Sequence, residues 1–141
     1  MRLLFHYDDG GRAAAGYRGR ARDCATRAIA IATQHSYQEV YQALAAATAQ
    51  EARVARRNHP RTGLRKHTVK DFLRELGWQW TATMHIGSGC RVHLRAGELP
   101  PGRLIVAVSK HLCAVIDGVL HDTHDCSRNG RRCVYGYWTF S

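Results

Sequence analysis

The hydrophobic pattern of this chain changes period once, at Gly77-Trp78, and that change restricts the fold more than any other feature. Before it, apolar residues recur at helical spacing. After it, they fall in short runs bounded by turn residues. Residues 24–33 read Cys-Ala-Thr-Arg-Ala-Ile-Ala-Ile-Ala-Thr, apolar almost all round, which predicts a helix buried on most sides, with Asp23 as its N-cap. Ser36 and Glu39 have capping-box spacing, and Val40, Tyr41 and Leu44 continue one helical face behind them. Thr68 to Asp71 repeats the cap logic for a third helix, whose apolar face is Val69, Phe72, Leu73 and Leu76 and whose left-handed terminator is Gly77. Strands are predicted at 78–84, 90–94, 104–109, 112–116, 119–123 and 133–140, and an earlier one over 2–7 ahead of Asp8-Asp9-Gly10-Gly11. Helices followed by antiparallel strands make an α+β domain.

A chain of 141 residues removes enough surface from water for one core, so residues 1–141 are read as a single domain. No run approaches the ~20 apolar residues that span a bilayer, and the N-terminus turns polar too soon for a secretory leader. The expectation is a cytoplasmic protein with no membrane partner, its five cysteines reduced. The net charge of +10 is carried almost wholly by arginine, because Lys66, Lys70 and Lys110 are the only lysines. It favours an anionic partner without naming one. The densest basic segment, which includes Arg53, Arg56, Arg57 and Arg61, is interrupted by Pro60 and Gly63 and reads as an exposed loop. Such a loop suits an acidic protein or nucleic acid.

Two positions carry the chemistry. Cys24 opens a buried helix, where free amides and the positive end of the helix dipole favour thiolate, with Arg18, Arg20, Arg22 and Arg27 close in sequence. His111 begins an apolar strand. If Asp117-Gly118 is a two-residue turn, Ile116 faces Val119, Val115 faces Leu120, Ala114 faces His121 and Cys113 faces Asp122. His111 and Asp122 then lie diagonally on one face, about 5–7 Å apart at Cβ, within reach of a carboxylate–imidazole bond. The other ring nitrogen is left for a nucleophile.

A cysteine opening a buried helix, a histidine at a strand start and an acid on the next antiparallel strand resemble the papain-like cysteine peptidase superfamily. The segment Asp23-Cys24-Ala25-Thr26-Arg27-Ala28-Ile29-Ala30 is similar to the nucleophile helix of ovarian-tumour-type deubiquitinases. Strand-borne His111 and Asp122 look more like bacteriocin-processing and peptidoglycan-cleaving relatives. The whole chain, with Asp9-Gly10-Gly11-Arg12 and Val134-Tyr135-Gly136-Tyr137-Trp138, also looks like a group of short bacterial and phage proteins, a likeness that carries no function with it. The papain resemblance implies a nucleophile helix packed on a C-terminal antiparallel sheet, a protein or peptide substrate, and no cofactor. It implies Cys24 as nucleophile, His111 as base and then acid, and Asp122 as the orienting group. The tetrahedral oxyanion would be held by the Cys24 amide and a donor before it. Those peptidases place glutamine about six residues before the cysteine. Here that position is Arg18, and no Gln or Asn occurs in residues 1–23, so Tyr17 and Arg18 are the candidate donors.

Other readings use the same residues. His121, His124, Cys126 and Cys133 are zinc-ligand types, but strand parity turns His121 and His124 to opposite faces, and Cys126 and Cys133 read as thiols on the two arms of one turn, so no metal is assigned. Asp117 is accounted for by its turn, and Cys113 by packing beside the site. Trp78, Trp80, Tyr135, Tyr137 and Trp138 read as strand core, with one or two left for a groove. Spacing supplies no partner for His6, His35, His59, His67, His85 or His93, which read as surface or satisfied core residues. Amide transfer would use the same three groups with a different acceptor, and a non-catalytic basic binding module would need none of them.

Overall fold

The computed structural model describes residues 2–19, 21–51, 59–60 and 63–140. These form three helices and a six-stranded sheet, a mixed α+β architecture. The strands are β1 (Leu4–Tyr7), β2 (Trp78–Ala82), β3 (Arg103–Val108), β4 (His111–Ile116), β5 (Val119–Asp122) and β6 (Val134–Phe140), in spatial order β1-β5-β4-β3-β6-β2. Asp117 and Gly118 both take positive φ, 46° and 80°, as a tight primed turn requires. The register of β4 on β5 is Ala114 to His121, Val115 to Leu120 and Ile116 to Val119, as the turn predicts.

Alternation along the central strands separates two cores. Ile105, Ala114 and Trp138 face the helices, whereas Leu104, Val106, Cys113, Val115 and Leu120 face Leu3, Leu94, Cys126 and Val134 on the side covered by loops. Helix α1 (Cys24–Thr33) lies on the first face, and its alanines let it approach β4 closely. Its last carbonyls are capped by the sheet itself: Arg103 donates to the carbonyls of Ala32 and Ile31, both at 2.7 Å. Gln34, left-handed at φ 66°, donates its N–H to Ala30 and ends the helix. Helix α2 (Tyr37–Glu51) starts on the capping box, with Glu39 N–H donating to Ser36 Oγ at 3.1 Å and Ser36 N–H to Glu39 Oε1 at 3.2 Å. Among the described residues no helix is long and apolar enough to cross a membrane.

Several expectations are corrected. The sheet is not wholly antiparallel: β1 runs parallel to β5, at the edge that the β4–β5 hairpin leaves open. Helix α3 (Lys66–Glu75) begins two residues before Thr68, which is buried inside it rather than capping it. Asp23 makes no side-chain cap either, because its carboxylate is held elsewhere. Residues 90–94 are not a strand. One bridge, His93 to Cys133, is all they form, with Leu94 N–H on the Arg132 carbonyl and Val134 N–H on the Val92 carbonyl, each at 2.8 Å.

That return of the loop along β6 places Cys90 beside Cys133, and the two form a disulfide, so the expectation of five free thiols is wrong. Cys133 is thus taken up in a disulfide, whereas Cys126 remains a free, buried thiol. The bond closes a stretch with a sequence separation of 43. Replacing Cys90 by serine is expected to lower stability by about 2–4 kcal/mol under oxidising conditions, read from urea unfolding. Equal stability of the variant and the oxidised parent would show that the bond contributes nothing.

Candidate active site

Cys24, His111 and Asp122 meet where the tip of α1 abuts the start of β4. Asp122 is 3% exposed, and its Oδ2 lies 2.7 Å from His111 Nε2. Its Oδ1 accepts the Thr123 N–H at 2.7 Å and faces Arg27 at 3.5 Å. With Nε2 occupied, Nδ1 is the ring nitrogen left for a thiol. Cys24 and His111 line the same cleft, and His111 and the Leu112 amide both favour the Cys24 thiolate. Strand alternation explains that amide. In a two-residue hairpin Ile116 and Ala114 exchange bonds with β5, so Leu112 points the same way, but β4 and β5 are paired only as far as Ala114 and His121.

The electrostatics follow from these contacts. Burial opposes ionisation of Cys24, but His111, the Leu112 amide and the charge of Arg27 outweigh it and lower the thiol's pKa. Burial likewise opposes protonation of His111, yet Asp122, Cys126 and Cys24 raise it to about 11. Asp122 is itself held below the ordinary carboxylate value, its burial outweighed by His111, the Thr123 amide and Arg27. The arrangement favours a thiolate–imidazolium pair.

Two neighbours have partners that the sequence did not reveal. Arg27, one turn after Asp23, bonds Asp23 and faces Asp122, so it joins the helix to the acid. Only its i,i+4 spacing from Asp23 hinted at this. Cys126 is the second. Cys113, and with it His111, lowers the pKa of Cys126 despite burial, while the Cys113 pKa is raised. His111, Asp122 and Cys126 also place ligand-type atoms within 4.8 Å of one another. Two thiols thus share one imidazole. Accessibility separates them: Cys126 is 3% exposed, whereas Cys24 lines an open cleft of about 600 Å³. His124, not His121, is the histidine beside His111, with ring centroids 5.4 Å apart.

The cleft has an apolar wall that includes Trp80, Trp138 and Tyr135. Gly136 makes room for it, since a Cβ there would lie 2.3 Å from the Trp80 ring. Five cations, Arg22, Lys66, Lys70, Arg74 and Lys110, line the same cleft, and among the described residues no carboxylate does. None of the five is ion-paired within the described residues. Of the expected oxyanion donors, Tyr17 stacks on Tyr41 and Tyr37 at 4.6 and 5.1 Å, and Arg18 is exposed. Neither lines the cleft, whereas Arg22 does. Asp117 is bound to the Gly102 N–H at 2.7 Å, away from His111. Arg53, Arg56, Arg57 and Arg61 lie outside the described residues.

Comparison with protein-family models, curated proteins and solved structures finds no match for this chain.

Proposed function

We propose that this chain is a thiol-dependent hydrolase of papain-like type, a peptidase, isopeptidase or amidase. One observation carries the reading: the thiol at the tip of α1 lines an open cleft together with an imidazole whose Nε2 is held by a buried carboxylate, and that imidazole lowers the thiol's pKa. Cys24 Sγ attacks the scissile carbonyl, and the C–N bond breaks as His111 gives its proton to the leaving amine. Water then attacks the thioester as His111 takes its proton, the C–S bond breaks, and the acid is released with the Cys24 thiolate and His111 imidazolium regenerated. Asp122 keeps the ring oriented throughout. In this reading the Cys24 amide holds the oxyanion, with Arg22 as the cationic donor from the same cleft. Amide transfer differs only in the acceptor that opens the thioester. The cations around the cleft favour an acyl donor that carries negative charge next to an apolar side chain.

Peptides bearing a chloroacetyl group test this directly, with the adduct located by peptide mapping. Labelling is expected on Cys24, faster for an acidic than for a basic peptide. Raising pH deprotonates Cys24 first, so the rate climbs with an inflection below the ordinary thiol value of 9.0. Turnover, which also needs the imidazolium proton, declines as His111 loses it near pH 11. An inflection at 9.0 or above, or equal rates for the two peptides, counts against the activated thiol or the anionic substrate respectively.

A further inference from the structure

The parallel pairing of β1 with β5 sets His6 directly opposite His121. Parity puts Asp8, two residues after His6, on the same face. The Asp8 backbone is fixed there, its N–H donating to the Asp122 carbonyl at 2.9 Å. Its Oδ1 accepts the Gly10 N–H at 2.8 Å, which leaves Oδ2 turned to His121 Nδ1 at 3.5 Å. That nitrogen is shielded from solvent and makes no hydrogen bond. A buried ring nitrogen left without a partner is costly unless something else occupies its lone pair. The His6 ring completes the group, its centroid 5.0 Å from that of His121, and one ligand-type atom from each of the three residues lies within 4.8 Å of the others.

These distances fit a shared cation. Two ligand atoms each ~2.1 Å from a zinc ion and at the tetrahedral angle are separated by ~3.4 Å, close to the 3.5 Å between Asp8 Oδ2 and His121 Nδ1. His6 is exposed, so its ring is free to turn toward the other two donors. We propose that His6, Asp8 and His121 form a binding site for a divalent transition-metal ion of the zinc class. The donors are two imidazoles and one carboxylate, with no thiol, and water would complete the coordination. The ion would staple the edge strand β1 to β5, on the face of β5 opposite Asp122. The site is independent of the thiol chemistry.

Untagged protein titrated with zinc against a chromogenic chelator tests this, with cobalt(II) spectra alongside. One equivalent is expected to bind and to raise the thermal midpoint. Affinity should fall ~100-fold or more in His6→Ala, whose exposed side chain leaves the fold intact, and in Asp8→Asn. The cobalt spectrum should lack a thiolate charge-transfer band. Absence of binding overturns the site, as does binding that both variants retain. A thiolate band lost in Cys126→Ser would also overturn it and place the ion on His111, Asp122 and Cys126.

Discussion

Cys24→Ala is expected to lose turnover of an acidic peptide amide by at least ~10³-fold, together with all stoichiometric labelling by the chloroacetyl peptide, while the unfolding midpoint stays near that of the parent. The size follows from the chemistry: without the sulfur no thioester forms, and the oxyanion donors and cleft alone leave a small residue of catalysis. The fold is expected to tolerate the change because the thiol is at the cleft surface and little buried volume is lost. His111→Ala should fall by a similar factor, since it removes both the base and the partner that lowers the thiol's pKa. Labelling that persists in Cys24→Ala and maps to Cys126 would reassign the nucleophile to the buried thiol on the same imidazole. A chain that shows no turnover but stays on nucleic acid at low salt, equally with and without Cys24, would be a binding module, its cations contacting phosphates rather than an acyl donor.

The largest expected loss of stability is at Asp23. Its carboxylate is 2% exposed and accepts from Arg27, faces Arg12 at 3.3 Å and accepts the Tyr37 hydroxyl at 2.7 Å. Burial and the Asp23 charge push the Tyr37 pKa well upward, so the phenol keeps its proton and remains a donor. Asp23→Ala would strand the Arg12 and Arg27 guanidiniums, mostly screened from water, without their shared acid. Breaking a buried pair from one side costs about 3–5 kcal/mol, and here Arg27 keeps only the longer contact to Asp122 while Arg12 keeps only the Gly19 carbonyl. Urea unfolding measures it, and a loss under about 1 kcal/mol would show that the network relaxes into solvent. Asp23→Asn should cost less, since the amide oxygen still accepts from Tyr37. Either change also frees Arg27 from its first partner, so a shift in the pH dependence of labelling should accompany the loss of stability.

Much of the site's geometry was legible locally. The Asp117-Gly118 turn set the β4–β5 register, and parity then placed His111 and Asp122 on one face, where they are 2.7 Å apart at the bonding atoms. The hydrophobic run from Cys24 marked a buried helix with the thiol at its tip. Both inferences needed only short-range rules: a turn of known geometry, a period of two and a period of 3.6. The same rules misjudged Asp23, whose N-cap residue type concealed a buried ion pair, and Thr68, whose cap spacing lay one half-turn inside the helix.

The amino-acid order by itself determined the switch from helices to strands at Trp78, the hairpin and which side chains share its face, because backbone sterics and side-chain alternation act over a few residues. Tertiary structure alone decided that Arg27 reaches Asp122 across 95 positions, that Cys90 pairs with Cys133, that Cys126 joins His111, and that β1 docks parallel to β5 and gives His6 a partner. The physical reason is that these contacts are won in competition between distant segments for the same buried space and the same unpaired polar atoms, and no local pattern records which segment arrives.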